Sequence, residues 1–483
     1  HEALGATIEQ IGNVEYYTCE NCSNYFIKNG NTYNEVSLDE TIEFMPKFVA
    51  VGQSISLEEG FTYEVSSGDA ASVVNDKLSF VKSGNVEIKI SKGKFETTCS
   101  TTVIDFGNTK GETFDFASDP TLWNYRNYAN DPADKVSITA ETNVADSRAT
   151  PMTFNALKYH RDLNNNSYRS LTGMLMYLRP EIIKLAKEVG YKFISFWIYV
   201  PKTATGSDTF SMYSVEAEGK VSAAPYATRL IAGVNDNSDP SNGGNWKRYA
   251  FSLEDSKINP NGGFGWGAYG KDLYLAQVEF TGADISEFVS TCVEASGTAG
   301  KSKDLINDKT IGKMFVPVNN TSIVTRITGA TWNTDIGGGN GVKLTRVNDF
   351  GQEYNCYQGL RISADWIQAF KKLGYNVLTL PLWTAQSTGF TDIGINKQEG
   401  GSAKSYRLCN GSSTTAAKVW KSTDSNPFIS LDLNNINVGE SLVICFRGGT
   451  VLSLADSQVR IYDGKNGIAA PSYPNFVYDI NCN

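Results

Sequence analysis

The chain has 483 residues, with 43 Lys+Arg against 52 Asp+Glu and a formal net charge of −9. That balance disfavours a nucleic-acid partner, which needs a basic face, and 41% hydrophobic content over a length of roughly three domains excludes a disordered chain. The only histidines are His1 and His160, so neither a Ser/His/Asp triad nor a multi-His metal site is expected.

The longest apolar run, Phe193 to Val200, is far short of the roughly 20 residues that cross a bilayer, and no membrane insertion is expected. The opening HEALGATIEQ has neither a basic start nor an apolar core, so secretion is an expectation argued indirectly. Twenty-four Tyr, 24 Phe and 8 Trp beside 44 Gly suit a loop-rich β protein with exposed rings.

Residues 1–46 hold a CxxC, Cys19 and Cys22 in YYTCENCSNYF, which is half of a zinc site. The stretch GNVEYYTCENCSNYF, preceded by His1 and Ala6-Thr7, resembles a short repeat of gut Firmicutes surface proteins. That repeat usually carries another cysteine where this chain has Ile8, which leaves at most His1, Cys19 and Cys22 as ligands. The resemblance therefore implies a degenerate or disulfide-closed repeat rather than a full zinc site.

From 47 to 105 the runs VAVGQSISL, FTYEVSS, LSFV, VEIKIS and TTCSTTVID alternate apolar and polar between Gly, Asn and Asp turns, which predicts strands. Their order resembles the bacterial immunoglobulin-like group 2 module. That resemblance implies a spacer without chemistry of its own.

Beyond Asp105 the sequence repeats itself. GMLMYLRPEIIKLAKEVGYKFISFWIYVP (173–201) and GLRISADWIQAFKKLGYNVLTLPLWTA (359–385) each read as strand, helix, Gly-Tyr and apolar strand. Phe114 matches Phe315 and Trp246 matches Trp420 more loosely, which gives related domains at 106–290 and 312–483 with a small, polar linker at 291–311. The expected fold class is mostly β: an Ig-like spacer followed by two related β-sandwich or jelly-roll domains, each carrying one helix.

Eight cysteines, four of them in the last third (Cys356, Cys409, Cys445, Cys482), are too thin for a disulfide scaffold; most read as buried thiols, with one or two disulfides there if the protein is exported. The loops Asp162–Asn166 and Asn235–Asp239 offer oxygen ligands of the kind calcium takes, although such loops also arise for backbone reasons. No cofactor is expected beyond a structural calcium at either place. Asp131, Asp134, Glu141 and Asp146 cluster without a spacing that singles out an acid and a nucleophile, so they read as solvated charge and no catalytic residue is assigned.

Trp197, Trp366 and Trp383 lie in apolar segments and read as core, while Trp246 and Trp420 read as packing residues. Trp266, set among glycines in NGGFGWGAYGKD, reads as solvent-facing, with Phe264, Tyr269 and Lys271 beside it. Trp123, with Tyr125 and Tyr128, and Trp332 sit in loop-like settings that fit either an exposed ring or one tucked against the sandwich. Rings beside polar groups suit sugars, whose C–H faces stack while their hydroxyls find fixed partners.

The whole arrangement resembles multimodular cell-surface glycan-binding proteins of gut Firmicutes, and among them starch-adherence proteins. The resemblance implies an extracellular, non-catalytic protein that captures a polysaccharide, an α-glucan first, as a monomer within a larger surface assembly. A surface adhesin for a protein ligand, and a glycosidase or lyase with an unrecognised carboxylate pair, are the rival readings.

Overall fold

The computed structural model describes residues 1–7, 9–107, 114–127, 136–147, 151, 153–161, 174–201, 210–215, 227–231, 244, 246–255, 258, 262–268, 272–292, 313–317, 322–330, 339–346, 359–384, 392–396, 406–407, 428–447, 451–455, 460–462 and 477–478. The chain divides into two units, His1–Thr109 and Lys110–Asn483.

In the first unit a four-stranded sheet and a three-stranded sheet accompany one apolar core. The strand Gly84–Lys92 shows why: Val86, Ile88 and Ile90 are buried, while Glu87 between them is exposed and Lys89 half-buried. A period of two places every second side chain on the core face. Asn75 and Asp76, both in the left-handed region (φ 51° and 57°), make the tight turn between Ala71–Val74 and Lys77–Phe80. Phe44 and Met45 join this core from the N-terminal side of residue 47. Ahead of them, Tyr17–Thr18, Tyr25–Asn29 and Thr32–Val36 form a small antiparallel sheet.

The second unit is also mostly β, with strands β1 (Trp123–Asn127), β2 (Val136–Ala145), β3 (Thr153–Arg161), β4 (Met174–Leu178), β5 (Phe193–Tyr199), β6 (Phe210–Val215), β7 (Ala227–Ile231), β8 (Lys247–Ser252), β9 (Gly263–Ala268) and β10 (Asp272–Thr281). Helix α1 (Pro180–Glu188) joins β4 to β5, and α2 (Ser286–Cys292) follows β10. One sheet runs β1-β4-β9-β6-β7 and the other β2-β3-β10-β5-β8. Rings meet between them: Phe196 with Trp266 at 5.1 Å, Phe210 with Tyr249 at 5.2 Å, Phe251 with Phe264 at 6.1 Å. These contacts define a β-sandwich whose core is aromatic.

The chain then repeats the pattern with β11 (Phe315–Pro317), β12 (Ser322–Ala330), β13 (Gly339–Arg346), β14 (Gly359–Ile362), α3 (Ala364–Lys372), β15 (Val377–Thr384), β16 (Asp392–Asn396), β17 (Tyr406–Arg407), β18 (Phe428–Asp432), β19 (Leu442–Arg447) and β20 (Val451–Ala455). The sheet orders are β11-β14-β19-β16-β17 and β12-β13-β20-β15-β18, the first set with each strand advanced by ten. Two short strands, β21 (Arg460–Tyr462) and β22 (Val477–Tyr478), add to the second sheet. Both α1 and α3 end at a glycine in the left-handed region, Gly190 (φ 95°) and Gly374 (φ 92°), which only glycine enters without a Cβ penalty.

The two halves of this unit meet through charge. Arg361 on β14 makes a two-pronged pair with Glu279 on β10, at 2.9 and 3.0 Å, with both side chains 5% exposed. Asp365, in the first turn of α3, accepts the Gly282 N–H at 2.6 Å, and burial pushes its carboxyl up to about 7. Asp284 pairs with Lys372, which together with Ser286 holds its carboxyl down at about 2. Asp115 accepts the Ala117, Gln277 and Val278 amides, the last two at an irregularity of β10 where Gln277 takes φ 44°. Burial pushes Asp115 up to about 6 despite those donors.

Candidate functional site

Three of the expected sugar-stacking residues are core. Trp266 is fully buried on β9, Phe264 beside it is equally buried, and Trp123 is 4% exposed. Trp123 and Trp266 face each other at 5.3 Å, and the Trp123 indole donates to the Phe116 carbonyl at 2.8 Å. The expectation of a solvent-facing Trp266 is therefore corrected. Its flanking glycines are strand glycines that admit close neighbours: a Cβ on Gly263 would lie 2.6 Å from the Leu178 carbonyl, and one on Gly265 2.6 Å from Val215 Cγ2. Phe264 and Trp266 alternate with these glycines and point to the opposite face, into the sandwich.

Tyr125 is half-buried on β1, an edge strand. Tyr128, Tyr269, Lys271 and Trp332 lie outside the described residues, as do both Asn/Asp-rich loops and Cys356, Cys409 and Cys482. Trp197, Trp246 and Trp366 are buried, in keeping with a packing role. Among the described residues no group of three or more His, Cys, Asp or Glu could hold a metal ion, and no helix is long and apolar enough to cross a membrane.

The outer face of the β2-β3-β10-β5-β8 sheet combines rings with accessible polar groups. Strand register places Tyr199, Tyr274 and Lys158 side by side across β5, β10 and β3, and His160 beside Asp272 one pleat further along. Tyr199 and Tyr274 stack at 5.6 Å with 29° between their planes, and they belong to an apolar cluster with Phe154, Ala156, Trp197, Trp246 and Ala276. Trp246 covers one side of it, its N–H held by Asp146 at 3.1 Å and its indole by the Val144 carbonyl at 3.3 Å.

At the open side, Lys158 Nζ lies 3.0 Å from Glu141, 3.9 Å from Asp272 and 5.6 Å from the Tyr274 ring centre. The bond to Glu141 holds the Lys158 ammonium above its usual pKa. His160 Nδ1 sits 2.7 Å from Asp272 Oδ1. These four side chains are 22–38% exposed, whereas Tyr199 and Tyr274 are almost buried at 7% and 8%. Burial raises the Tyr274 phenol. The result is a ring floor with a rim of fixed donors and acceptors at one end of the sheet. At the other end of the same face, Glu279 is buried by Arg361.

Sequence reasoning read Glu141 as solvated charge and placed Asp272 only as a hydrogen-bonding group following the Trp266 segment, and it used His160 only for exclusion. The usable signal was the alternation Phe154, Ala156, Lys158, His160, which puts apolar and polar residues on one face of one strand.

No family model and no curated protein matches the sequence. Solved structures similar to parts of it include a carbohydrate-binding module described among promiscuous members of the β-sandwich superfamily (8% identity, 49% of this chain and 94% of that one, TM-score 0.21). Others are the tandem CBM22-1–CBM22-2 domain of Paenibacillus barcinonensis Xyn10C (10% identity, 72% and 96%, TM-score 0.21) and the K1 adhesin domain of Lys-gingipain from Porphyromonas gingivalis W83 (11%, 35% and 96%, TM-score 0.22).

Proposed function

We propose that this chain is an extracellular, surface-associated polysaccharide-binding protein whose first sandwich holds the glycan on the outer face of the β2-β3-β10-β5-β8 sheet. The observation that carries the reading is the Tyr199–Tyr274 floor beneath the half-exposed Lys158, Glu141, His160 and Asp272. Sugars need polar groups already oriented for their hydroxyls, which this rim supplies; the two almost buried rings beneath it support the rim and leave only their edges to a sugar's C–H face. The one Lys158 ammonium shares two carboxylates, so the rim favours an uncharged glycan over a uronate or sulfated one. Glu141 and Asp272 are both tied to that ammonium, which supports capture without cleavage.

The second sandwich has different residues at the matching positions. Register aligns Lys343 and Ser453 with Lys158 and Tyr274, Thr345 and Val451 with His160 and Asp272, and Ile327 with Glu141. This supports binding by the first copy alone. An α-glucan is the finer reading, carried by the starch-adherence resemblance of the sequence.

The test is affinity electrophoresis of the whole chain through gels holding starch, glycogen, mannan, xylan or no polysaccharide, with Asp272→Asn and His160→Ala run alongside. Retardation by starch and glycogen that both variants weaken is the expected result. Retardation by another glycan would replace the α-glucan reading, and retardation insensitive to both variants would remove this face. No retardation by any glycan would turn the assignment to an adhesin for a protein ligand.

A further inference from the structure

In the small sheet of the first unit, made by Tyr17–Thr18, Tyr25–Asn29 and Thr32–Val36, no residue of any strand is buried. Cys19 and Cys22, in the turn between the first two strands, are free thiols, and that turn is held by the Cys19 N–H donating to the Asn24 carbonyl at 3.0 Å. Antiparallel register fixes which side chains share a face: Tyr17 pairs with Phe26 and Phe26 with Glu35, and one pleat further along Lys28 pairs with Tyr33. Tyr17 and Tyr33, on the two outer strands, reach over the central strand and meet edge to face, their centres 5.1 Å apart and their planes at 89°. They form a corner of two rings, with Phe26 half-buried on the same face.

Fixed polar groups flank this corner. The Tyr17 phenol donates to Glu15 Oε1 at 2.5 Å, and Asn24 Nδ2 donates to Glu35 Oε1 at 2.7 Å. Tyr33 is 54% exposed, and among the described side chains it is the only exposed Phe, Tyr or Trp. The sandwiches put their rings into cores, whereas this sheet displays one of its own beside oriented acceptors.

We propose that the Tyr17–Tyr33 corner is a second glycan-binding site, which takes a sugar unit of an uncharged polysaccharide against its rings and offers Glu15 and Glu35 to the hydroxyls. The class of ligand rests on the polysaccharide reading of the chain; the place of the site does not. An accessible ring gives the C–H face of a sugar an apolar surface, and carboxylates already held by a hydrogen bond accept from hydroxyls without being ordered first. Lys28 and Glu35 interrupt the apolar surface of this face, and charge of that kind is depleted where a protein partner is bound. Glu15 and Glu35 against the one Lys28 disfavour an acidic glycan.

The experiment runs the full chain through gels holding increasing amounts of starch, glycogen, mannan or xylan, with Tyr33→Ala, Asp272→Asn and the double variant alongside. Tyr33→Ala is expected to weaken the apparent affinity about two- to tenfold, the worth of one ring contact, and to do so in the Asp272→Asn background as well. A second measurement needs no variant to fold: wild-type chain is nitrated with tetranitromethane, with and without the retarding glycan, and the tyrosines are mapped by mass spectrometry. The glycan is expected to slow nitration of Tyr33. Tyr33→Ala that binds like wild type, or Tyr33 nitrated equally fast under the glycan, would overturn this site and leave the sandwich face standing. Weakening by Tyr33→Ala with none by Asp272→Asn would keep this site and remove the sandwich face, and no retardation of the wild type by any glycan would overturn both.

Discussion

The two sandwiches of the second unit share a strand order but not a surface. At matching register positions the first has Lys158, Tyr274, His160 and Asp272, and the second has Lys343, Ser453, Thr345 and Val451. Another position behaves differently: Trp266, opposite Met176, corresponds by register to Ile444, opposite Leu360, so the slot stays apolar in both sequences. Packing constrains only size and polarity at such a slot, whereas a rim of hydrogen-bonding groups depends on the identity of each residue. The copies are therefore most alike where they hold themselves together and least alike where the first meets solvent.

The strongest way to break this comparison is at a residue the first copy lacks. Arg361 stands where the first copy has Tyr177, and it neutralises the buried Glu279. Arg361→Ala should cost about 3–5 kcal/mol in denaturant unfolding, since it leaves an uncompensated buried carboxylate. The double variant Arg361→Met/Glu279→Leu should recover much of that loss. If the double variant were as unstable as the single, the unpaired carboxylate would not be the cause, and the lost packing of the two side chains would be.

Trp266→Ala should destabilise by about 3–5 kcal/mol as well, through the cavity it opens against Trp123 and Phe196. Trp266→Ile, which installs the second copy's residue, should cost less. Calorimetry would separate this from binding: glycan affinity of the folded fraction should stay unchanged in both. A folded Trp266→Ala that lost only binding would restore the tryptophan to a ligand role.

The junction between the copies also titrates. Asp365 titrates at about 7 in the folded chain against 3.8 as its ordinary value, so the folded state holds more protons between those limits. The stability this group contributes is full below about pH 4 and is lost as pH rises through about 7. Asp115, at about 6, acts in the same direction over a narrower window. Melting temperature should therefore fall from pH 5 to pH 8, and Asp365→Asn should flatten the upper part of that fall. An unaltered slope in the variant would assign the dependence elsewhere.

At the rim, Asp272→Val installs the second copy's residue and removes the carboxylate that meets His160 and Lys158. Glycan affinity should drop by about 1.5–3 kcal/mol, the usual worth of a hydrogen bond to a charged group, with little change in melting. Isothermal titration of wild type and variant against the retarding glycan reads this directly.

How much of this was legible depended on what each residue had to satisfy. The strands of 47–105 and the paired helices followed from alternation and from glycines at the helix ends, because burial imposes those patterns locally. Trp266 misled because glycines on one face of a strand look, in one dimension, like a loop; only the approach of Val215 and Leu178 reveals their purpose. The rim was hidden for another reason. Lys158, His160 and Asp272 belong to strands over a hundred residues apart in sequence, and their meeting is a property of sheet order.

Lys158 gives the finest test of the comparison, since both copies keep a lysine there. In the first it is held between Glu141 and Asp272; in the second the aligned residues are Ile327 and Val451. If the rim works as an oriented set, Lys158 acts mainly by fixing those carboxylates, and Lys158→Met should weaken glycan binding by about 1 kcal/mol or less, the scale of a partly exposed ion pair. Lys343→Met should leave binding unaltered. The same titration run at 0.5 M salt should weaken the wild type toward the Lys158→Met value, because screening loosens the pairs that hold the carboxylates in place. Equal losses from both lysine variants would mean that the copies bind alike, and the division of labour between them would have to be abandoned.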